Sequence, residues 1–378
     1  MTRLIYHARA SLAAETYTHG MLATLVRAAL ERGLSLGFDV PDEPEVVLTL
    51  LRDWGLTSGQ LADVTMGNRA KPGESDVGLF AGSVDYWRHT ITRLGRRAGG
   101  KRLYWLQGME SAESYLKHGS RLRRMVLSCA ERLAVATSAA TIVPSAAMDE
   151  ELRRSYPELA ASKIVIIPNL VDGVWPRTGA EYARWGLAER PSLALGYSGS
   201  LAQWQCFAET CAVVAETQRR VEGCVFLVLS RDCEAARREV NRHGIQNAHF
   251  ASVDRNRVAE YIAAFDLGFM LRQEDTVNRV ACPVKWLEYW RCGVPLVTTE
   301  AVSIVNAACG NEHNLKVPLN DPSAAGLLLA DFGRKSLAER YAIAQALQER
   351  VRSDWIWAAW RTNIDAVASI MSCANKMT

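Results

Sequence analysis

At 378 residues the chain is too long for one ordinary core, so length argues for two domains. Hydrophobic residues make up 49% and charged residues 22%, the balance of a soluble protein, and no apolar run is long enough to span a bilayer. The net charge is +3, no zinc-finger or RNP-type motif is present and the aromatics are not interleaved as a stacking platform, which argues against nucleic acid as the partner; the nine scattered cysteines, odd in number and without a CxxC pair, argue against a disulfide framework. Cys206, Cys224, Cys282 and Cys292 read as small buried residues. The N-terminus runs straight into a strand-like segment without a secretory signal, so the chain is expected in the cytoplasm.

In chain order, residues 4–6 begin a strand, and 20–32 form a helix with Leu22, Leu25, Val26, Ala29 and Leu30 on one face, stopped by Gly33. Residues 46–51, 77–80 and 103–106 read as strands. Residues 120–136 read as a helix whose apolar side is Leu122, Val126, Cys129, Leu133 and Ala134. Residues 141–143 and 164–167 are continuous apolar runs of the kind buried on both faces of a parallel sheet. A linker is placed at 175–190, rich in Gly, Pro and charge.

A second series follows. Strands are predicted at 192–197, 224–229, 249–250 and 267–271, and helices at 207–219, 232–243 and 257–264. Two helices close the chain, 336–352 and 355–371, the last carrying Trp355, Ile356, Ala359, Trp360, Ile364, Val367 and Ile370. Alternating strands and helices with short connections imply two doubly wound α/β domains in tandem.

The most informative stretch is 281–299, ACPVKWLEYWRCGVPLVTT. Pro283 suits the start of a helix, Gly293 its end, Pro295 forbids continuation, and Val294, Leu296 and Val297 form a short buried strand. A helix start favours phosphate, and Glu288, deeper in the same helix and one turn from Lys285, can accept hydrogen bonds from a sugar diol. The plainer reading is a helix–strand unit with an exposed salt-bridge pair. Gly199, after the strand 192–197, lets a phosphate approach the backbone, although this is neither a dinucleotide fingerprint nor a Walker loop. Arg231, at the end of the next strand, is placed to meet an anion or to pair with Asp232. In the first half, His7, Arg9, Glu15, Tyr17 and His19 lie after the first strand, and Gln107 and Glu110 after a later one, where α/β domains place ligands. Basic residues crowd 88–132, with Arg93, Arg96, Arg97, Lys101 and Arg102 around Gly99 and Gly100, which reads either as a solvated face or as a surface for anionic lipid or a phosphorylated substrate. There is no Asp-X-Asp pair, HExxH or GxSxG.

Taken together, Tyr-Ser-Gly-Ser-Leu followed by Trp204, the Ile-Pro-Asn-Leu-Val-Asp run at 167–172, and above all Cys-Pro-Val-Lys-Trp-Leu-Glu-Tyr at 282–289 resemble the retaining glycosyltransferase family 4, in its P-x-K-x-x-E-Y variant. The resemblance implies a GT-B fold: two facing Rossmann-like domains, 1–178 for the acceptor and 179–354 for the nucleotide-sugar, and a helix at 355–378 returning to the first domain and burying Trp355 and Trp360 there. It implies a sugar transferred with retention from a nucleotide-sugar to a saccharide or lipid-linked acceptor, without metal or cofactor, in polysaccharide or glycolipid synthesis. Glu288 would bind the donor ribose, and Gly199, Ser200, Arg279 and the backbone of Cys282, Pro283 and Val284 would hold the diphosphate. Arg231 and Lys285 would stabilise the leaving group, and His19, Gln107 and Glu110 would meet the acceptor. Peripheral contact with anionic membrane through 88–132 is expected to be salt-sensitive, lost on neutral lipid, and without insertion. The pattern departs from the family at Val280, where many members have a second glutamate, and at Ser200 and Gln205, where many have cations. These departures leave a non-catalytic GT-B partner as the alternative, with a GT-B epimerase a distant third.

Overall fold

The computed structural model describes residues 2–9, 11–12, 19–67, 76–91, 100–157, 164–179, 181–308 and 313–372. Glu15, Tyr17, Arg93, Arg96, Arg97 and Gly99 lie outside them, as does the side chain of His19. The chain divides into two compact units: residues 1–169, 280–282 and 360–378, and residues 170–279 and 283–359. The breaks thus fall after Asn169 and Ala359, where the sequence reading placed them after 178 and 354.

The first unit is a seven-stranded sheet of β1 (Arg3–His7), β2 (Ser35–Asp39), β3 (Thr65–Met66), β4 (Val77–Phe80), β5 (Lys101–Trp105), β6 (Ala140–Val143) and β7 (Ile164–Ile166). The order is β3-β2-β1-β4-β5-β6-β7, every pair parallel. Its helices are α1 (His19–Leu30), α2 (Pro44–Asp53), α3 (Ser58–Ala62), α4 (Ser83–Ile91), α5 (Glu110–His118), α6 (Arg121–Thr137) and α7 (Ala146–Ser155). The run 46–51, expected as a strand, lies in α2. Pro44 starts that helix, and the buried pair Val47 and Leu51 has helical spacing. The strand belongs instead to residues 35–39, a segment too short and Gly-interrupted to announce itself.

The second unit is a six-stranded sheet of β8 (Leu193–Ser198), β9 (Cys224–Leu229), β10 (Ala248–Ala251), β11 (Leu267–Met270), β12 (Leu296–Thr298) and β13 (Leu315–Lys316). The order is β10-β9-β8-β11-β12-β13, again all parallel. Its helices are α8 (Phe207–Gln218), α9 (Cys233–Arg242), α10 (Val258–Ile262), α11 (Thr276–Val280), α12 (Val284–Arg291), α13 (Ser303–Ala308), α14 (Pro322–Gly333) and α15 (Leu337–Asp354). The last residue of α11, Val280, and the two that follow it count with the first unit: the Val280 carbonyl accepts the Ser145 hydroxyl at 2.6 Å, and the Val280 side chain is fully buried in that unit's core, in a cluster with Phe80, Tyr104 and Val143. An apolar surround of this kind explains why valine stands here; a carboxylate would be stranded.

Both cores are continuous apolar fillings between sheet and helices, Phe226 and Phe269 among the side chains in the second and Tyr86 and Met148 in the first. The last helix, α16 (Arg361–Ser372), packs on α1 in the first unit through buried Ile364, Val367, Ala368 and Met371. Arg32 reaches Asp365 at 2.9 Å, and Asn363 donates to the Ile166 carbonyl at 2.8 Å. Trp355 does not travel with it. It follows α15 in the second unit and packs edge-on against Trp286 at 4.6 Å, because a 3-10 turn, Trp357–Trp360, separates the two helices. None of the described helices is long and apolar enough to cross a membrane.

Candidate functional site

In an open α/β sheet, ligands gather where the strand order reverses, at the carboxyl ends of the strands. In the second unit that point lies between β8 and β11. The ladder between them runs only through Leu195 and Gly196, so the strands part beyond it. The Tyr289 hydroxyl, on α12, fills the gap: it accepts from the Ser198 N–H at 2.8 Å and donates to the Phe269 carbonyl at 3.3 Å. The tyrosine after Glu288 therefore bridges the two strands where they part, satisfying a backbone group of each.

Directly after β8, Gly199 has φ of 139°, a conformation that side chains rarely adopt. A Cβ there would stand 3.0 Å from Lys285 Nζ. The ammonium of Lys285 is thus set against the turn. It is buried, donates to Gln205 Oε1 at 2.9 Å, and sits 4.2 Å from the centre of the Tyr197 ring. Arg272, just past the end of β11 after Leu271, is buried too and shares the same acceptor: it donates to Gln205 Oε1 at 2.6 Å and to the Trp204 carbonyl at 2.9 Å. Two cations thus converge on one neutral amide. Burial pushes the Lys285 ammonium well below its ordinary range, the Arg272 charge adds to this, and Glu288 opposes it. Burial also lowers Arg272. Such a pair is short of negative charge, a condition that an anion would relieve.

Glu288 lies one turn after Lys285 on the same face of α12, half-buried, with no hydrogen bond or ion pair among the described residues. Its neighbours on the helix are committed elsewhere: Trp286 and Leu287 are in the core, and Trp290 Nε1 donates to Asn314 at 3.1 Å. The helix begins with Pro283 as its N-cap and stops at Gly293, whose φ of 68° supplies the left-handed turn.

The other sequence-derived candidates are spread more widely. Ser200 is exposed, and its carbonyl accepts the Tyr197 hydroxyl at 2.5 Å. Arg231 is exposed after β9, while Asp232 caps α9 through the Ala235 N–H at 3.1 Å instead of pairing with it. Arg279 is half-buried in α11. The carbonyl of Cys282 accepts from Asn169 Nδ2 within the first unit, while Pro283 and Val284 belong to the second. In the first unit Gln107 is half-buried after β5. Glu110 is occupied: it accepts from the Ser83 N–H at 2.7 Å, the Ser83 hydroxyl at 2.6 Å and the Tyr104 hydroxyl at 3.1 Å. It caps α4 from the first turn of α5. His7 Nδ1 pairs with Asp39 at 2.9 Å, strand residues in register across β1 and β2.

Two residues of this cluster were not among the candidates expected from the sequence. Arg272 carried the same signal as Arg231, a basic residue just past an apolar strand, and Gln205 was noted only as a missing cation. Both stand within reach of Lys285 or its partner.

No protein-family model matches this chain, and no curated protein matches it in sequence. Solved structures match its fold. The Anabaena protein HepE, in complex with UDP and glucose, agrees with a TM-score of 0.70 at 14% identity over 99% of this chain and 100% of that one. Sucrose-phosphate synthase from Thermosynechococcus elongatus agrees at 0.67 and 14%, over 98% of each. WaaG, a glycosyltransferase involved in lipopolysaccharide biosynthesis, agrees at 0.63 and 12%, over 98% of this chain and 99% of that one. The chain has the fold of these proteins, GT-B, with its parallel sheets of seven and six strands and its C-terminal helix on α1.

Proposed function

We propose that the chain is a retaining glycosyltransferase of the family 4 type, moving a sugar from a nucleotide-sugar to a saccharide or lipid-linked acceptor in polysaccharide or glycolipid synthesis. The observation that carries this reading is the placement of Lys285 Nζ against Gly199, with Arg272 on the same amide and Glu288 unpaired one turn on. Here the diphosphate lies along the turn after β8, its negative charge answered by Lys285 and Arg272. Glu288 accepts from the ribose hydroxyls. As the glycosidic bond to the diphosphate breaks, charge grows on the leaving oxygen, and cations fixed in a water-poor setting stabilise it most at that moment. The leaving phosphate takes the acceptor's proton, so no side-chain nucleophile is needed. Ser200, Arg231, Arg279 and the backbone of Cys282, Pro283 and Val284 complete the donor side, and His19 and Gln107 meet the acceptor. Glu110 joins them only if an acceptor displaces Ser83 or Tyr104.

Gln205 and Ser200, where the family often has cations, favour a second reading, a GT-B subunit that binds without catalysing. In the first reading, Lys285 and Arg272 replace those cations from other elements. The test begins with thermal shift against UDP-, GDP- and ADP-sugars, UDP-glucose first, since HepE has been solved with it. A bound donor raises the melting temperature, and Glu288→Gln weakens donor affinity by about 1–3 kcal/mol in calorimetry. No shift with any sugar nucleotide, or unchanged affinity in the variant, overturns the reading; binding without transfer supports the second.

A further inference from the structure

α6 packs against the first unit with Glu131, Ala134 and Val135 inward. Its apolar stripe lies on the opposite side. Leu122, Met125, Val126 and Cys129 follow one another at i, i+3, i+4 and i+7, and the first three are 67%, 59% and 58% exposed. Amphipathic helices normally turn such a stripe to the core; this one shows it to solvent while burying a glutamate. Leu116, near the end of α5 and just before the Gly119 turn, adds a further large exposed side chain at 54%.

The surroundings indicate what covers the stripe. From residue 116 to 126 the chain carries Lys117, Arg121, Arg123 and Arg124 and no acidic residue. Arg121 and Arg123 are exposed beside the stripe, and Arg124 lies 5.2 Å from the Tyr115 ring centre. Protein interfaces are anchored by aromatic side chains; the stripe has none. Aliphatic side chains flanked by arginines match instead an anionic lipid surface, where the apolar face enters the acyl boundary and the guanidinium groups meet phosphates.

We infer that the first half of α6, with the end of α5, is a membrane-docking face that inserts Leu122, Met125 and Val126 into an anionic bilayer surface. This deepens the lipid-linked arm of the function proposed above and differs from a purely electrostatic association, because the apolar contact survives salt. Of the basic cluster at 93–102, Lys101 and Arg102 are turned inward, to the Ile370 carbonyl at 3.0 Å and Thr90 at 2.6 Å.

The full chain is sedimented with vesicles of phosphatidylcholine alone and of phosphatidylcholine with phosphatidylglycerol, at low and high salt. The parent binds the anionic vesicles and keeps part of that binding in high salt. Replacing Leu122, Met125 and Val126 by Ser removes the salt-resistant part, and replacing Arg121, Arg123 and Arg124 by Ser weakens low-salt binding by roughly a hundredfold. Parent and variants binding alike, or no binding to anionic vesicles, overturns the inference. So does a dimer in light scattering that the serine variant abolishes without any vesicle binding, since the face then belongs to a second copy. Unchanged melting temperatures of the variants show that they fold. Vesicle binding is read without donor, so this inference and the transferase reading can fail separately.

Discussion

Lys285, buried beside Arg272, is the side chain proposed above to meet the donor's diphosphate. Its ammonium is lowered by burial and by Arg272, with Glu288 pulling the other way. The unfolded chain therefore binds a proton that the folded chain binds less well, so the lysine costs stability at neutral pH and the cost fades as pH rises toward its ordinary range. If the diphosphate binds there as proposed, its charge opposes the shift, so donor binding should take up a proton and affinity for UDP should fall as pH rises. Lys285→Met should raise stability at neutral pH by about 1 kcal/mol while weakening UDP binding by roughly a hundredfold, as measured by melting and by calorimetry. A variant that binds UDP like the parent would remove Lys285 from the site. Lys285 and Glu288 were legible because K-x-x-E spacing puts both on one helix face. Arg272 was not, because its partnership depends on β11 lying beside β8, strands some seventy residues apart in the chain.

Among the elements, α4, α5 and α6 show how local signals are redistributed. Glu110 of α5 caps α4, and Glu131 of α6 accepts from the Ser111 N–H at 3.2 Å at the start of α5, whose own N-cap residue, Met109, offers no side-chain acceptor. Burial raises the Glu131 carboxyl from 4.5 to about 7, with the Ser111 hydrogen bonds opposing. Between those values the folded state holds a proton that the unfolded chain has lost. Stability falls as pH rises through that window, by up to about 3 kcal/mol, and is level above it. Glu131→Gln keeps an acceptor for Ser111 but cannot ionise. The variant should melt above the parent at pH 8 and near it at pH 4, and parallel curves across that range would refute the assignment. Periodicity identified α6 as a helix but assigned no partner to its stripe; the capping of α5 is one reason that the opposite side faces inward. In α2 the error was different: Pro44 and the helical spacing of Val47 and Leu51 outweighed a β-branched, apolar run.

At the scale of the molecule, the first unit is completed by the end of the chain. Ile364, Val367 and Met371 of α16 are buried against it, and Arg361 reaches Glu31 at 2.5 Å. Ile364→Ala should cost about 2–4 kcal/mol. In scanning calorimetry this should lower the transition of the first unit and leave the transition raised by UDP, that of the second, in place. One transition moving as a whole would show that the two cores unfold together.

The sequence by itself determined the tandem α/β halves, most of the central strands and the proline-to-glutamate helix, because apolar runs, helical spacing, prolines and glycines act within a few residues. It could not determine which strand neighbours which, and so left Arg272 unnoticed and Gln205 read only as a missing cation. It placed Trp355 with the final helix, whereas the 3-10 turn at Trp357–Trp360 leaves that indole on Trp286 and sends only α16 back to the first unit. It also could not say that the Leu122 stripe faces water. Those outcomes depend on burial and on neighbours brought together by the sheets, as at Lys285, whose charged form is disfavoured first by burial and then by the Arg272 charge.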